Sequence, residues 1–362
     1  MLGAFLNLNK PAGITAHGCV ARLRKMLNLK KIGHSGTLDP AATGVLPIAI
    51  TKATRLLRFL PEGKAYRATV QFGITTNTDD LDGEILTKTA CPELTQTAIE
   101  ALLPQFVGQI QQYPPAYSAI KVKGKRLYQL ARAGQEVEVP IRTVSVKSLR
   151  VLGWHGGEFP QMELAIACGT GTYIRSIARD LGAKLGYGAT LANLERTYSN
   201  GFSLDNSVDF DKLAVILETD DQVEKYLIAP DRVLLHLEAI KLGHKSAKRW
   251  CQGQAIPLEM VERLHGSWAQ LPGMAESQSA VEVSSTAPKN SGTGSDELDG
   301  QKAAESAITD IPSDVIDLAN VRVYTSDRHD AKEMVFLGIG VIRSDFLTPE
   351  VVLRKFNLEE IS

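Results

Sequence analysis

The chain has 362 residues, of which 44% are apolar and 22% charged, and its net charge is -1. This composition is typical of a globular protein with room for two domains, and it excludes a disordered or fibrous chain. No stretch reaches the roughly 18 apolar residues of a membrane span, and the four cysteines stand singly. We therefore expect a cytoplasmic protein with no membrane segment, no disulfide scaffold and no metal site.

The charges are unevenly distributed along the chain. Residues 1–64 carry ten lysines and arginines against two acids, and residues 121–150 carry eight against two. Two basic blocks favour a polyanionic partner, although lysines that simply solvate helices explain them equally well. Residues 274–314 carry eight acids, two lysines and no apolar periodicity, which predicts a disordered acidic insert.

Apolar residues at alternating or helical spacing predict a chain that mixes strands and helices. Strands are predicted at residues 3–8, 45–50, 66–72, 143–152 and 161–168, and in a segment that contains 191–196. Helices are predicted from residue 15, over 53–60, over 95–107, from 173 and over 209–227. Beyond residue 231, the apolar stretches 335–342 and 351–356 predict a small β-rich domain.

One carboxylate stands out near the N-terminus. Asp39 lies in a loop rich in Gly, Ser and Thr, and Glu62 is the only other acid among residues 1–63. Basic surroundings favour the ionised carboxylate, so Asp39 is a candidate nucleophile or metal ligand. Because Pro40 follows it, a turn or helix-cap role is the alternative, and residue types alone leave both open.

Three further stretches suggest binding. The acids of loop 76–85 are spaced partly like a calcium site, but they lack the later Glu of an EF-hand, and an acidic turn is the preferred interpretation. Residues 113–134 interleave tyrosines with cations, which suits looped or single-stranded nucleic acid, or else a solvated amphipathic helix. The glycine-rich turn 169–172 leads into a helix, a weak indication of a phosphate site.

Four motifs in this order, GHSGTLDPAATGVLP, KAYRATV, GTYIRSIARDLG and LANLERT, resemble the TruB family of tRNA pseudouridine synthases over roughly residues 3–235. The resemblance implies an α+β pseudouridine synthase fold, with a mixed, largely antiparallel central sheet flanked by helices. It implies a catalytic domain at 1–235 with an RNA-contacting thumb at 113–146. A PUA-like RNA-binding domain at 236–362, carrying the acidic insert, is then expected. Ala16 stands where the family has a small hydroxyl residue.

The resemblance also implies an activity and the residues for it. Such enzymes isomerise uridine to pseudouridine at position 55, in the tRNA T loop, by base flipping and without a cofactor. The implied catalytic residues are Asp39 as nucleophile, Arg175 as its partner, Tyr66 stacking on the base and Tyr173 near C5. Attack at C6 of the base, attack at C1′ of the ribose and assistance to base loss all stay open. Burial patterns alone would make Tyr66 a core residue.

The implied substrate-binding residues are His34, Leu194, Lys10, Arg196, Lys123 and Arg126. The expected partner is the tRNA T arm, bound by a monomer with no obligate protein partner. Two alternatives are a non-catalytic RNA-binding protein or tRNA folding aid on the same fold, and a guide-RNA-dependent pseudouridylase subunit. A binder has no need for Asp39, Tyr66 and Arg175 together, and guide-dependent subunits typically carry long basic extensions. An enzyme is therefore favoured.

Overall fold

The computed structural model describes residues 3–118, 120–122, 125–127, 139–219, 223–264, 320–326 and 334–354. The chain divides into two compact units, Met1–Leu234 and Leu235–Ser362. Each unit contains its own β-sheet. The acidic segment 274–314 and Lys123 lie outside the described residues, so the expectations about them stay predictions.

The first unit contains four described α-helices and a set of strands that form one large sheet and two hairpins. The helices are α1 (Ala16–Met26), α2 (Gln96–Glu100), α3 (Ile174–Leu185) and α4 (Phe210–Glu218). The strands are β1 (Ala4–Lys10), β2 (Ile32–His34), β3 (Thr43–Ile50), β4 (Lys64–Phe72), β5 (Ile74–Thr76), β6 (Ile85–Lys88), β7 (Gly108–Gln112), β8 (Lys121–Val122), β9 (Lys125–Arg126), β10 (Arg142–His155), β11 (Gln161–Cys168), β12 (Ala189–Ser199), β13 (Phe202–Ser203) and β14 (Leu227–Ile228).

The large sheet has the strand order β14-β1-β3-β12-β4-β11-β10-β7, with β2 paired to β3 and β13 to β12. Its pairs are antiparallel except for β3 and β12, which run parallel where Arg196 lies opposite Gly44. Strand β4 is central, and Tyr66 on it lies opposite Ile166 of β11 and Arg196 of β12. This mixed, largely antiparallel sheet is the α+β architecture that was expected.

Helices pack on the sheet through apolar stripes. Val20 and Leu23 of α1 and Leu213 of α4 join one buried cluster with β1 and β3, and Ile177 and Leu181 of α3 join another with β4, β11 and β12. Helix α1 begins at Thr15, whose side chain accepts a hydrogen bond from the N–H of Gly18. Such caps satisfy backbone donors that a first helical turn leaves free. The two clusters fix α1 and α3 against the sheet.

Two predicted helices are shorter than expected. Residues 95–107 form α2 and then a 3₁₀ turn, Leu103–Phe106, because Pro104 lacks the N–H that a continuing α-helix requires. Residues 209–227 form α4, which ends at Glu218, and then a separate 3₁₀ turn, Val223–Tyr226. The segment 53–60 falls largely within the 3₁₀ helix Thr51–Phe59. These differences do not change the order of elements.

The second unit is β-rich, as its sequence predicted. Its elements are β15 (Glu238–Leu242), α5 (His244–Cys251), β16 (Ile256–Pro257), β17 (Val261–Leu264), β18 (Asn320–Ser326), β19 (Met334–Arg343) and β20 (Phe346–Val352). The sheet order is β16-β20-β19-β18-β15-β17, and Trp250 of α5 lies fully buried against it. No helix in the described part of either unit is long and apolar enough to cross a membrane.

Candidate active site

A cleft of about 1050 Å³ opens in the first unit. The loop 37–40, the start of β4, the N-terminus of α1, the segment 77–84, residues 117–118 and the start of α3 line it. These segments are far apart in the chain, and the sheet brings them together. The cleft is therefore a product of the fold, and it holds most of the side chains that the resemblance had named.

Asp39 and Arg175 meet in this cleft. Arg175 Nε lies 3.0 Å from Asp39 Oδ2, and Arg175 Nη1 lies 3.4 Å from Asp80 Oδ2. The guanidinium also donates to the backbone oxygens of Thr78 (2.8 Å) and Tyr117 (3.0 Å). Arg175 is only 5% exposed and is the second residue of α3, so its position is set by the helix and by four partners. A lysine ammonium lacks the planar guanidinium geometry that lets Arg175 contact these four oxygen partners at once.

The pKa of Asp39 is raised, contrary to the expectation that its basic surroundings favour the ionised form. Burial is the largest cause and the Asp80 charge adds to it, while Arg175 and Lys10 oppose it. Although 41% of the side-chain surface remains open to the cleft, surrounding protein atoms exclude much of its hydration. The pairing with Arg175 thus only partly offsets desolvation, and a count of nearby charges in the sequence cannot include that cost.

Aromatic and apolar side chains form the other walls of the cleft. Tyr66 and Leu194 line it while 7% and 9% exposed, and burial raises the pKa of Tyr66 to about 12. Burial also raises the pKa of Tyr173, whose backbone N–H donates to Gln112 Oε1 at 3.1 Å. Both phenols are therefore neutral near pH 7. The part of the wall formed by Tyr66, Tyr173 and Leu194 suits a flat, uncharged ring better than a phosphate.

His34 also lines the cleft, at the end of β2. Burial lowers its pKa, which favours the neutral imidazole. Its Nδ1 is buried and makes no hydrogen bond to any residue that the structure describes. A neutral, partly unsatisfied ring at a cleft wall has the chemistry needed to stack in place of a base or to bind one.

The sequence matches known proteins closely. A sequence model described as "TruB family pseudouridylate synthase (N terminal domain)" matches residues 24–174. A tRNA pseudouridine synthase B from Nostoc sp. strain PCC 7120 is 57% identical over 257 residues, which cover 71% of this chain and 86% of that protein. The chain belongs to the TruB family. The synthase B of Acaryochloris marina is 50% identical over 281 residues, covering 76% of this chain and 95% of that protein.

Solved structures support the same fold for this TruB-family chain. The crystal structure of a Cbf5-Nop10-Gar1 complex contains a chain that is 24% identical, with a TM-score of 0.62, covering 97% of this chain and 85% of that one. A structure of an H/ACA RNP bound to a substrate RNA containing 2′-deoxyuridine gives 22% identity and a TM-score of 0.61, with coverage of 97% and 85%. At such identities the likeness shows the fold alone.

Lys10, named as a substrate-binding residue, is fully buried. Its Nζ donates to the backbone oxygens of Pro11 (2.8 Å), Ile14 (2.7 Å) and Pro40 (3.0 Å). Because all three donors of the ammonium are used, none points toward bound RNA. Lys10 thereby ties the turn after β1 to the residue following Asp39, and its predicted contact with substrate stays a prediction.

Arg196, the other buried cation with this assignment, lies on β12 with no exposed surface. Its Nε donates to the backbone oxygen of Val45 at 2.7 Å and its Nη2 to that of Gly36 at 2.9 Å. It also acts on the Tyr66 hydroxyl by charge and by hydrogen bond. Arg196 therefore supports the Asp39 loop and Tyr66 from inside the sheet, and its predicted contact with substrate stays a prediction.

Asp80 is a cleft residue that the sequence analysis missed. Its Oδ1 accepts hydrogen bonds from Thr78 Oγ1 at 2.6 Å and from the N–H of Asp82 at 3.2 Å, while Oδ2 faces Arg175. Neighbouring Asp79 pairs instead with Arg179 at 2.9 Å. These separate partners support an acidic turn and not a calcium site. Within the described ranges, no group of three or more His, Cys, Asp or Glu side chains could hold a metal ion.

The thumb predicted at 113–146 is described only in part. Lys121–Val122 and Lys125–Arg126 pair as a short hairpin, and the side chain of Arg126 lies outside the described residues. Strand β10 begins at Arg142, so the end of the predicted thumb belongs to the large sheet. At its start, the backbone oxygen of Tyr113 accepts hydrogen bonds from Ser176 Oγ and Arg179 Nη2, each at 2.8 Å.

Proposed function

We infer that this TruB-family chain isomerises uridine to pseudouridine in tRNA. Its curated relatives at 50–57% identity are named tRNA pseudouridine synthase B. The observation that carries the inference is the ion pair of Asp39 with Arg175 inside a cleft large enough for a nucleotide. A carboxylate held by a guanidinium is aimed and poised for covalent catalysis.

We propose uridine 55 of the T loop as the target and base flipping as the means of reaching it. A base that stays stacked in the T loop cannot reach Asp39 in the cleft, and extruding the base costs a few kcal/mol. His34 would occupy the place that the base leaves. Tyr66 would stack on the flipped uracil, and Leu194 would close the apolar side of the pocket. The neutral phenol of Tyr66 and the apolar side chain of Leu194 support this division of roles.

The proposed reaction conserves every atom. The bond between N1 and C1′ breaks, a bond between C5 and C1′ forms, the C5 proton leaves and N1 gains a proton. Asp39 can act by adding to C1′ as the base departs, by adding to C6 and leaving again, or by assisting base loss without a covalent bond. Each route is redox-neutral and adds no group, so none requires a cofactor.

Tyr173 is proposed as the residue that removes the C5 proton. It lines the cleft near Arg175 at the start of α3. Its raised pKa keeps the phenol protonated, so it can accept that proton only while passing its own hydroxyl proton on. If a Tyr173→Phe variant still forms pseudouridine at more than about a tenth of the normal rate, another group must remove the C5 proton.

We further propose that the protein acts as a monomer in the cytoplasm, with the tRNA T arm as its partner. A purely non-catalytic role in tRNA folding is not favoured, because a binder has no use for the Arg175–Asp39 pair. A guide-dependent subunit is not favoured either, because the similarity to Cbf5 rests on 24% identity, whereas the synthase B relatives exceed 50%.

The test is to incubate the protein with an unmodified tRNA transcript labelled with tritium at C5 of uridine. Release of tritium reports turnover, and chemical mapping of pseudouridine reports the position. Asp39→Asn should lower the rate at least about 10³-fold and leave tRNA affinity nearly unchanged, because shape is kept and the nucleophile is lost. Glu62→Gln, which neutralises the other acid among residues 1–63, is the control. Product at another position only would overturn the choice of uridine 55.

A further inference from the structure

Lys64 is a cation in the cleft that the proposed chemistry does not use. It is the first residue of β4, and it lies opposite Cys168 of β11 and Ser199 of β12. Two ladders of hydrogen bonds therefore fix its backbone. Because side chains two apart on a strand share a face, Lys64 points to the same side as Tyr66, and both line the cleft.

The ammonium of Lys64 has no anionic partner. No hydrogen bond or ion pair joins it to any residue that the structure describes, and the groups that raise its pKa are the Cys168 thiol and the carboxylate of the exposed Glu62. It is half-buried, and burial lowers its pKa, with the Arg196 charge acting in the same direction. A partly desolvated charge without a counterion is costly, and an anion entering the cleft would remove that cost.

The loop before Asp39 is shaped around this side chain. Gly36 has φ +70, and a Cβ at this position would lie 3.2 Å from Lys64 Cε and 3.4 Å from Nζ. The lysine therefore lies between the sheet and the Asp39 loop. Among the described residues that line the cleft, the other cation is Arg175, which is already engaged by Asp39, Asp80 and two carbonyls. This leaves Lys64 as the cleft cation with free donors.

We propose that the Lys64 ammonium binds a backbone phosphate of the RNA next to the uridine held in the cleft. This rests on the proposed function, since the flipped nucleotide brings its flanking phosphates with it. A phosphodiester is the anion that an RNA substrate offers at any sequence. The acids Asp80, Asp82 and Glu84 line another part of the cleft and would repel it. Lys64 thus determines which side of the cleft the RNA backbone follows.

The experiment combines protein variants with single methylphosphonate linkages, which remove one phosphate charge, on either side of the target uridine in a T-arm stem-loop RNA. Lys64→Met should weaken binding of unmodified RNA about tenfold and flatten its salt dependence by about one unit. At one linkage, the methylphosphonate should weaken binding to the wild type and have no further effect on Lys64→Met. Lys64→Arg should restore both the affinity and the sensitivity to that linkage.

Arg67 provides the matched control, because it is an exposed cation of the same strand outside the cleft lining. Arg67→Met should keep the wild-type response to every linkage, and thermal unfolding checks that all variants fold. The proposal is overturned if Lys64→Met stays sensitive to every methylphosphonate, or if it loses turnover at unchanged affinity, as an ammonium acting on the base would. Binding is measured separately from turnover, so absence of pseudouridine with the wild type counts against the proposed function only.

Discussion

Asp39 and Asp80 share one guanidinium. Nε of Arg175 faces Asp39 at 3.0 Å, and Nη1 of the same side chain faces Asp80 at 3.4 Å. Burial and the Asp80 charge raise the pKa of Asp39, whereas Arg175 lowers it by charge and by hydrogen bond, so this network sets the charge of the proposed nucleophile. Because residues 39, 80 and 175 lie on three separate segments, the pKa of Asp39 depends on how those segments pack.

Replacing Arg175 should raise the pKa of Asp39 further. Arg175 lowers this pKa by its charge and by a hydrogen bond. Arg175→Met removes both effects, whereas Arg175→Lys keeps the charge and removes the planar set of N–H donors. Activity needs the ionised carboxylate, so the acid limb of the rate profile should move to higher pH in both variants. Turnover near neutral pH should fall about 10²-fold or more. The measurement is single-turnover rate against pH.

Arg179 gives a control for this substitution on the same helix. It pairs with Asp79 at 2.9 Å and does not line the cleft. Arg179→Lys should therefore lower thermal stability without moving the acid limb. An Arg175→Met variant whose acid limb stays at the wild-type pH would contradict the electrostatic role assigned to the pair.

Asp80→Asn should shift the acid limb the other way. The Asp80 charge raises the pKa of Asp39, so its removal lowers that pKa and extends activity to lower pH. Turnover at neutral pH should still fall about tenfold, because Arg175 loses one of its anchors. Asp79→Asn, next in the chain but paired with Arg179, should leave the limb in place. A shift to higher pH in Asp80→Asn would refute this assignment.

Lys10→Met tests whether Lys10 positions the turn after β1 or binds substrate. The substitution removes the ammonium donor from the backbone oxygens of Pro11, Ile14 and Pro40, of which the Pro40 oxygen keeps the N–H of Gly13, so the free energy of unfolding should fall by about 2–4 kcal/mol. Chemical denaturation measures it, and Lys25→Met, exposed on α1, should change it by less than about 0.5 kcal/mol. Unchanged stability together with a flatter salt dependence of tRNA binding would show that Lys10 binds the substrate.

Gly44→Ala tests the contact between the parallel strands β3 and β12. Gly44 has φ +99, and a Cβ there would overlap the backbone oxygen of Arg196 and lie 2.9 Å from its nitrogen. We expect a loss of about 2 kcal/mol or more in unfolding free energy, together with lower activity. Gly13→Ala has a similar φ of +80 but open space around its Cβ, so it isolates backbone strain from the clash. Equal losses in the two variants would mean that strain alone acts.

Much of the fold follows from local patterns. The alternation at 66–72 corresponds to β4, and the apolar run at 45–50 corresponds to most of β3. Successive side chains of a strand point to opposite faces of the sheet, so a strand covered on both faces is apolar throughout. Segments 161–168 and 191–196 likewise lie in β11 and β12. The helix over 95–107 was overextended, since its apolar residues keep a helical spacing on both sides of Pro104.

The sequence predicted the site residues that belong to a family motif. It could not predict the contacts and burial that depend only on how distant segments pack. The family resemblance implied that Arg175 pairs with Asp39, and the structure brings the two together. Asp80 looks the same in sequence whether it faces Arg175 or solvent. Burial of Lys10 and Arg196 depends on carbonyls supplied by distant loops, and the pKa of Asp39 depends on enclosure by the cleft. The amino-acid sequence alone predicts neither this burial nor this pKa.

The backbone oxygen of Tyr117 accepts a hydrogen bond from the side chain that holds Asp39. Two residues of the same helix, Ser176 and Arg179, hold the backbone oxygen of Tyr113, at the start of the segment predicted to contact RNA. A displacement of this segment would therefore reach Arg175 through the hydrogen bonds that join it to α3. The proposed RNA contact at this segment would link tRNA binding to the alignment of the Asp39 carboxylate.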